Sequence, residues 1–237
     1  MNAIQWVARN PAVSIGLTLL AYWLALALHR RWRWIPPIVA ACIPIVAVLL
    51  VLREPYEDYN RGGSYLSWWL GPATVALAVT MYRHGMALRR SLPKLALVVV
   101  AGSVVGMATA GLTAWLLGAP LPVVMSTVPK SVTTPIAIEV CEELKGIPQI
   151  TIALVILTGI LGASFGRPLL RLVGVRDDRA IGAAIGTSAH GIGTASLVRH
   201  SEMQATVSSW AMAAAGVSTS LLAALLALFL RWGGWIR

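Results

Sequence analysis

Residues 185–196 read Ile-Gly-Thr-Ser-Ala-His-Gly-Ile-Gly-Thr-Ala-Ser, and this stretch decides how the chain must fold. It lies inside an uncharged run, residues 180–198, that is long enough to be a membrane span. The stretch nevertheless contains an imidazole, four hydroxyl groups and three glycines. Polar groups and irregular backbone are tolerated at membrane depth only where they are buried in protein or line a water-filled cavity. The stretch therefore predicts a polar site inside a membrane protein.

The composition of the whole chain indicates a membrane protein with many spans. Of its 237 residues, 57% are hydrophobic and 12% are charged, whereas a soluble domain carries about 25% charged residues. The formal charge of +10 comes largely from basic residues in short loops at the ends of apolar runs, as the positive-inside bias requires. Nucleic-acid binding is therefore not expected. We expect a single integral membrane domain, residues 1–237, with an all-α fold.

Seven apolar runs have the length of a span, and one further segment does not. The spans are predicted at 11–28, 35–52, 64–82, 95–117, 148–166, 180–198 and 204–230. Segment 118–147 instead has two shorter apolar stretches, each of which would reach only about 12–18 Å into a hydrocarbon core about 30 Å thick. We predict that it forms a re-entrant hairpin between spans one to four (1–117) and spans five to seven (148–237).

The charges of the loops agree with this arrangement. The basic loops after spans one, three and five face the cytoplasm, and the three glutamates after the second apolar stretch of the hairpin, Glu139, Glu142 and Glu143, face outside. Both Arg231 and Arg237 then lie on the cytoplasmic side. The alternative is a second re-entrant hairpin at 180–198, which changes the placement of the last spans.

Three stretches combine a helix breaker with hydroxyl side chains at membrane depth: 71–74, 129–135 and the opening stretch. We predict that discontinuous helices surround one central polar cavity, where half-helix N-termini favour an anion. Helix breaks are expected at Gly71, Pro72, Pro129, Pro135, Gly191 and Gly193. The predicted substrate-binding residues are Thr74, Lys130, Ser131, Thr133, Thr134, Thr187, Ser188, His190 and Thr194.

Lys130 and His190 each admit two interpretations. A lysine at membrane depth costs about 2.5–3.5 kcal/mol on insertion scales, so Lys130 either contacts a carboxylate or extends to the membrane surface from a shallower position. His190 either orients the substrate and carries a proton, because imidazole titrates near neutral pH, or packs as a hydrogen-bonded histidine.

The sequence predicts that the protein is not an enzyme. Ser188 and His190 are two residues apart and cannot face each other on a helix. No nucleophile-elbow motif, paired intramembrane aspartates or metal-ligand spacing occurs in the chain. No cofactor and no metal are expected.

Several motifs together resemble the LrgB/CidB family. They occur, in the family's order, at Gly71–Val79, Pro129–Ala137, Gly146–Pro148, Thr158–Gly162 and Gly186–Thr194. The resemblance covers nearly the whole chain, although the first 60 residues contribute little. One departure is Thr80-Met81-Tyr82, where relatives commonly have a proline.

The resemblance implies two functions. The family's plant relative is a plastidal translocator of glycolate and glycerate, which implies a carrier of small monocarboxylates such as glycolate, glycerate, lactate or pyruvate, working by alternating access. Bacterial members are described as antiholin-like modulators of murein hydrolase activity and autolysis, which implies a regulator of a small LrgA/CidA-like, holin-type membrane partner. Both imply the bacterial cytoplasmic membrane, and a homo-oligomer is a further expectation.

Overall fold

The computed structural model describes residues 10–32, 35, 37–69, 72, 75 and 91–235, and the chain divides into two compact units, 1–76 and 77–237. Within these residues the protein is all-helical, as predicted. Four described helical segments are long and apolar enough to cross a membrane: Pro11–Arg31, Leu92–Leu116, Pro148–Leu172 and Glu202–Trp232. The predicted count of seven spans is not confirmed, and most of the predicted span at 64–82 lies outside the described residues.

The first unit contains α1 (Pro11–Arg31), α2 (Pro37–Leu52) and α3 (Tyr56–Trp68). Helix α1 begins where the Asn10 side chain accepts a hydrogen bond from the Ala12 amide at 3.0 Å. It packs on α2 through small residues, with Ala21, Ala25 and Ala41 buried in one cluster. Helix α2 has 16 residues, which makes it shorter than a typical span.

The described part of the second unit, residues 91–235, contains three long helical segments. They are α4 (Leu92–Leu116), then α7 (Pro148–Leu161) continued through a π-helical turn at Gly162–Gly166 into α8 (Arg167–Leu172), and α10 (Glu202–Trp232). Proline near the first position starts α4 and α7, a place where its missing N–H costs nothing. Leu95 packs with Val207, and Val99 packs with Ala211 and Ala215, so α4 and α10 run in the same direction.

Segment 118–147 forms a helical hairpin, hairpin 1, of α5 (Leu121–Thr127) and α6 (Thr134–Glu143). A Cβ added at Gly111 of α4 would meet Val124 and Val128, and one added at Gly106 would lie 3.9 Å from Ser131 Oγ. Helix α5 therefore runs back along α4 to its midpoint. Helix α6 then returns, since Val140 and Leu144 pack with Ala223 and Ala227 near the end of α10.

The predicted span at 180–198 is wrong, because the chain reverses inside it. Helix α9 (Asp178–Leu197) is broken at Ala189 and at His190, whose φ is 40° and ψ −140°. In a straight helix Ile181 and Leu197 would lie about 24 Å apart, yet both belong to one core cluster with Ala205. Asp178, before the break, also accepts a hydrogen bond from Ser201, after it, at 2.5 Å. Helix α9 is therefore a second helical hairpin, hairpin 2.

The reversal also determines at which end of the second unit α10 terminates. Because α10 begins beside the base of hairpin 2 and runs parallel to α4, Arg231 lies at the same end of this unit as the base of hairpin 1. The sequence-based placement of Arg231 beside the basic loops is therefore wrong.

The two hairpins enter the second unit from opposite ends. The base of hairpin 1 lies beside the C-terminal end of α4, whereas the base of hairpin 2 lies beside its N-terminal end, where Arg179 donates a hydrogen bond to Ser91 at 3.3 Å.

Gly102, Gly159 and Gly216 are equally spaced along the chain and lie on the three long helices. A Cβ added to each would meet, respectively, Thr187, His190 and Ile136 of a hairpin. This order, helix–hairpin–helix–hairpin–helix with alternating direction, is typical of an inverted internal repeat.

Candidate functional site

A cavity of about 580 Å³ lies between the two hairpin tips and α4. Its wall follows α4 from Leu95 to Met107 and the first arm of hairpin 2 from Asp177 to Ser188. Hairpin 1 contributes Lys130 and Ser131, and α10 contributes Thr219. The cavity therefore has an apolar wall with a few polar groups, which is the usual make-up of a small-molecule site.

The tips approach each other across one turn of α4. Thr187 of hairpin 2 is the neighbour that a Cβ at Gly102 would meet at 3.1 Å, and Ser131 of hairpin 1 is the neighbour at Gly106. Four helical residues span about 6 Å, so the two tips are separated by roughly that rise along α4. Both glycines, Gly102 and Gly106, also line the cavity.

Lys130 brings a positive charge to this cavity. Its ammonium group is partly buried and donates a hydrogen bond to Ser131 Oγ at 3.3 Å. In the part of the chain that the structure describes, no carboxylate forms an ion pair with it. A partly buried cation without a counter-ion attracts an anion, because pairing offsets its desolvation.

The mouth of the cavity also carries charges. Asp177 and Arg179 line it at the base of hairpin 2, where both side chains are exposed. Asp177 caps α9 by accepting a hydrogen bond from the Ala180 amide at 2.8 Å. The mouth of the cavity therefore has one exposed charge of each sign.

Four of the predicted binding residues line the cavity: Lys130, Ser131, Thr187 and Ser188. Thr187 and Ser188 donate their hydroxyl hydrogens to the carbonyl oxygens of Ala183 and Ala184, at 2.8 and 2.7 Å. They therefore offer a ligand the lone pairs of their oxygens but not a free donor.

His190 does not line the cavity. Its side chain is 4% exposed, and Nε2 lies 3.0 Å from the carbonyl oxygen of Val155 on α7. The ring lies over Gly159, where an added Cβ would be 2.8 Å from Cε1. The structure thus shows the packing arrangement considered for His190, with its ring directed toward α7.

Three other predicted residues also lie away from the cavity wall. Thr194 is fully buried, and its hydroxyl donates to the His190 carbonyl oxygen at 2.7 Å and lies 2.8 Å from Ser208 Oγ. Thr133 precedes α6 and Thr134 begins it, but neither residue is part of the lining. Neither Thr134 nor Gly191, which follows the break in α9, lines this cavity, so the structure does not show the expected half-helix N-termini at its wall.

The predicted helix breaks are partly visible. Pro129 is fully buried in the turn of hairpin 1, and Pro135 occupies the first turn of α6. Gly193 lies after the reversal in hairpin 2, where an added Cβ would be 2.6 Å from the Ala189 Cβ. Gly71 and Thr74 lie outside the described residues, and Pro72 has helical backbone in the first unit.

Sequence reasoning missed two hydroxyl residues of the cavity wall, Ser103 and Thr219. Both are almost fully buried, at 6% and 3% exposure. Ser103 lies between two glycines of a helix-packing motif, and Thr219 lies in the longest apolar span, so neither was separated from packing residues. The signal that could have found Ser103 is its place between two helix-surface glycines that leave room for a ligand.

Comparisons with known proteins agree with the sequence motifs. The model of the LrgB-like family matches residues 18–229. The Bacillus subtilis (strain 168) protein named Uncharacterized protein YwbG is 36% identical over 220 residues, which cover 92% of this chain and 98% of that protein. An Antiholin-like protein LrgB of Bacillus mycoides (strain KBAB4) is 29% identical over 213 residues, which cover 89% of this chain and 93% of that protein. No solved structure matches. The chain is therefore a membrane protein that belongs to the LrgB-like family.

Proposed function

We propose that the protein is a secondary transporter of small monocarboxylates of the glycolate, glycerate, lactate or pyruvate type. The observation that carries this proposal is Lys130, a partly buried cation without a described counter-ion on the wall of the cavity. A carboxylate is the ligand that such a site favours. Serine and threonine hydroxyls around it can bind a second oxygen of the substrate.

The arrangement of the hairpins supports transport by alternating access. Transporters commonly place the substrate near the membrane midplane, between elements related by an inverted repeat. Here the two hairpin tips meet at the middle of α4, and each hairpin enters from its own end of the helix. We propose that both hairpins are re-entrant in the bilayer.

The orientation follows from the distribution of charge. Arg167, Arg171, Arg176 and Arg179 lie at the end of the second unit that holds the base of hairpin 2. This end faces the cytoplasm under the positive-inside rule. At the other end, the apolar cluster that includes Val124, Met125 and Leu144 packs above the cavity. We therefore propose that the protein lies in the bacterial cytoplasmic membrane with its cavity open to the cytoplasm and closed to the outside.

The test is uptake into proteoliposomes. Purified protein should exchange internal unlabelled glycolate for external labelled glycolate, and pyruvate should compete. We expect Lys130→Met to lower kcat/KM for glycolate about 10- to 100-fold, because a charged hydrogen bond to the substrate is lost.

The matched control is Lys94→Met, which removes an exposed lysine at the start of α4 that does not line the cavity. Its transport should equal that of the wild type. Wild-type protein that exchanges none of these acids would refute the carrier proposal.

A second function is favoured by the names of relatives, since the Bacillus mycoides protein is called antiholin-like. Under this proposal the chain binds a small LrgA/CidA-like, holin-type membrane protein and controls murein hydrolase activity and autolysis. It predicts lysis control that depends on co-expression of such a partner and is unaffected by Lys130→Met. Neither function requires an enzymatic step or a cofactor.

A further inference from the structure

One hydroxyl group on the cavity wall has no hydrogen-bond partner. Ser103 Oγ is buried, and no described group bonds to it. The residue lies on α4 between Gly102 and Gly106, whose missing side chains leave the wall open on either side of it. Most buried hydroxyl groups in proteins are paired, so an unpaired one in a residue that lines a cavity suggests a missing ligand.

A second hydroxyl lies on the same wall. Thr219 of α10 is 3% exposed and lines the cavity. The two adjacent serines of α10 do not line the cavity. Ser218 and Ser220 instead donate hydrogen bonds to the carbonyl oxygens of Ala214 and Gly216, at 2.8 and 3.0 Å. Such back-bonding uses the hydroxyl hydrogen and directs the side chain along its own helix.

The hydroxyls that hairpin 2 and α4 bring to the cavity differ. Those of Thr187 and Ser188, on hairpin 2, already donate to their own helix. That of Ser103 does not, because Ser103 Oγ has no described partner. A ligand oxygen that needs a donor therefore finds it on α4 rather than on hairpin 2.

We infer that Ser103, supported by Thr219, binds the oxygen on the carbon next to the substrate's carboxylate and so selects 2-hydroxy and 2-oxo acids over plain carboxylates. The inference rests on the proposed carrier function and concerns the part of the site that binds the second oxygen of the substrate. Lys130 provides charge, which every carboxylate satisfies equally. Ser103 provides a directional hydrogen bond, which an acid without the second oxygen leaves unpaired.

The experiment compares labelled glycolate with labelled acetate in proteoliposomes. The measured quantity is the ratio of kcat/KM for the two acids, which cancels differences in the amount of active protein. Ser103→Ala should lower the glycolate-to-acetate ratio about tenfold, as expected for one lost hydrogen bond. Thr219→Val, which keeps the side-chain shape, should lower it in the same direction and serves if Ser103→Ala does not fold.

The control is Ser218→Ala, which removes a hydroxyl beside Thr219 that is bonded within α10 and does not line the cavity. Its ratio should equal that of the wild type. If the wild type carries both acids and the ratio is unchanged in both cavity variants, the role of Ser103 is overturned and the carrier stands. If the wild type carries neither acid, the carrier proposal fails and this inference fails with it.

Discussion

Hairpins 1 and 2 fold back in similar ways but are built from different residues. The turn of hairpin 1 contains Pro129 and Lys130, and charged residues lie in its second helix and just after it. The turn of hairpin 2 contains neither proline nor charge, and its reversal depends on His190 in a positive-φ conformation that costs a non-glycine residue about 1–3 kcal/mol. A helical hairpin is thus visible in a sequence when charge interrupts it, and hidden when its two arms together have the length of a span.

The bases of the hairpins also differ. Hairpin 1 is tied to α7 by neutral hydrogen bonds, from the Ile147 amide to Ser126 Oγ at 2.7 Å and from Thr151 Oγ1 to the Ser126 carbonyl oxygen at 2.9 Å. Hairpin 2 is tied to α10 by a carboxylate, since Asp178 accepts from Ser201 and from Gln204. The two attachments should therefore respond differently to pH.

The largest expected effect concerns the side of the membrane that the end of hairpin 2 faces. In a Cys42→Ala background, His200→Cys should react with a membrane-impermeant maleimide from the same side as Arg176→Cys and from the side opposite to Glu143→Cys. All three positions are exposed, and the remaining Cys141 is fully buried. Labelling of intact cells against inside-out vesicles gives an all-or-none answer. A span at 180–198 would place His200 with Glu143, which would contradict the second hairpin.

The next effect concerns how tightly each hairpin packs. A Cβ at Gly186 of hairpin 2 would lie 2.3 Å from the carbonyl oxygen of Ser208, whereas one at Gly106 would lie 3.9 Å from Ser131 Oγ. Backbone cannot move aside as a side chain can, so Gly186→Ala should destabilise the protein by about 3 kcal/mol. Gly106→Ala should leave it unchanged or stabilise it by about 0.5–1 kcal/mol. Thermal unfolding in detergent measures both, and equal melting temperatures would contradict the close packing of hairpin 2 on α10.

The smallest effect is a pH dependence confined to hairpin 2. Hydrogen bonds from Ser201 and then Gln204 hold the pKa of Asp178 below its usual range. A carboxyl group with a lowered pKa in the folded state stabilises the protein above its unfolded pKa of about 3.9 and loses this contribution as the pH falls through the folded value.

Asp178→Asn should therefore lower the melting temperature by a few degrees at pH 7, and the difference from wild type should shrink below about pH 4. Thr151→Val, which weakens the neutral attachment of hairpin 1, should lower it by an amount that does not change with pH. Hydrogen exchange at residues 178–189 locates the loosening, and a pH-independent Asp178→Asn effect would contradict the charged attachment.

The sequence alone determined the class of the protein and much of its fold. Composition and apolar runs predicted an all-helical membrane protein, and the motifs predicted its family, which the match over residues 18–229 confirms. The helices at Leu92–Leu116 and Glu202–Trp232 agree closely with the predicted spans at 95–117 and 204–230. Local hydrophobicity is enough for such segments because each has the length and composition to cross the bilayer by itself.

Only the tertiary structure decided where the chain reverses and which polar groups share a cavity. Hairpin 2 has an uncharged run as long as a span. Its reversal therefore depends on the packing of Ile181 and Leu197 in one core cluster and on the hydrogen bond between Asp178 and Ser201, which are distant in sequence. In the same way, Lys130, Thr187 and Ser103 lie on one cavity because two hairpins meet against α4, whereas His190, which was predicted to bind the substrate with them, turns toward α7. The direction of a side chain at a helix break follows from the packing of neighbouring helices, and composition and spacing do not contain that information.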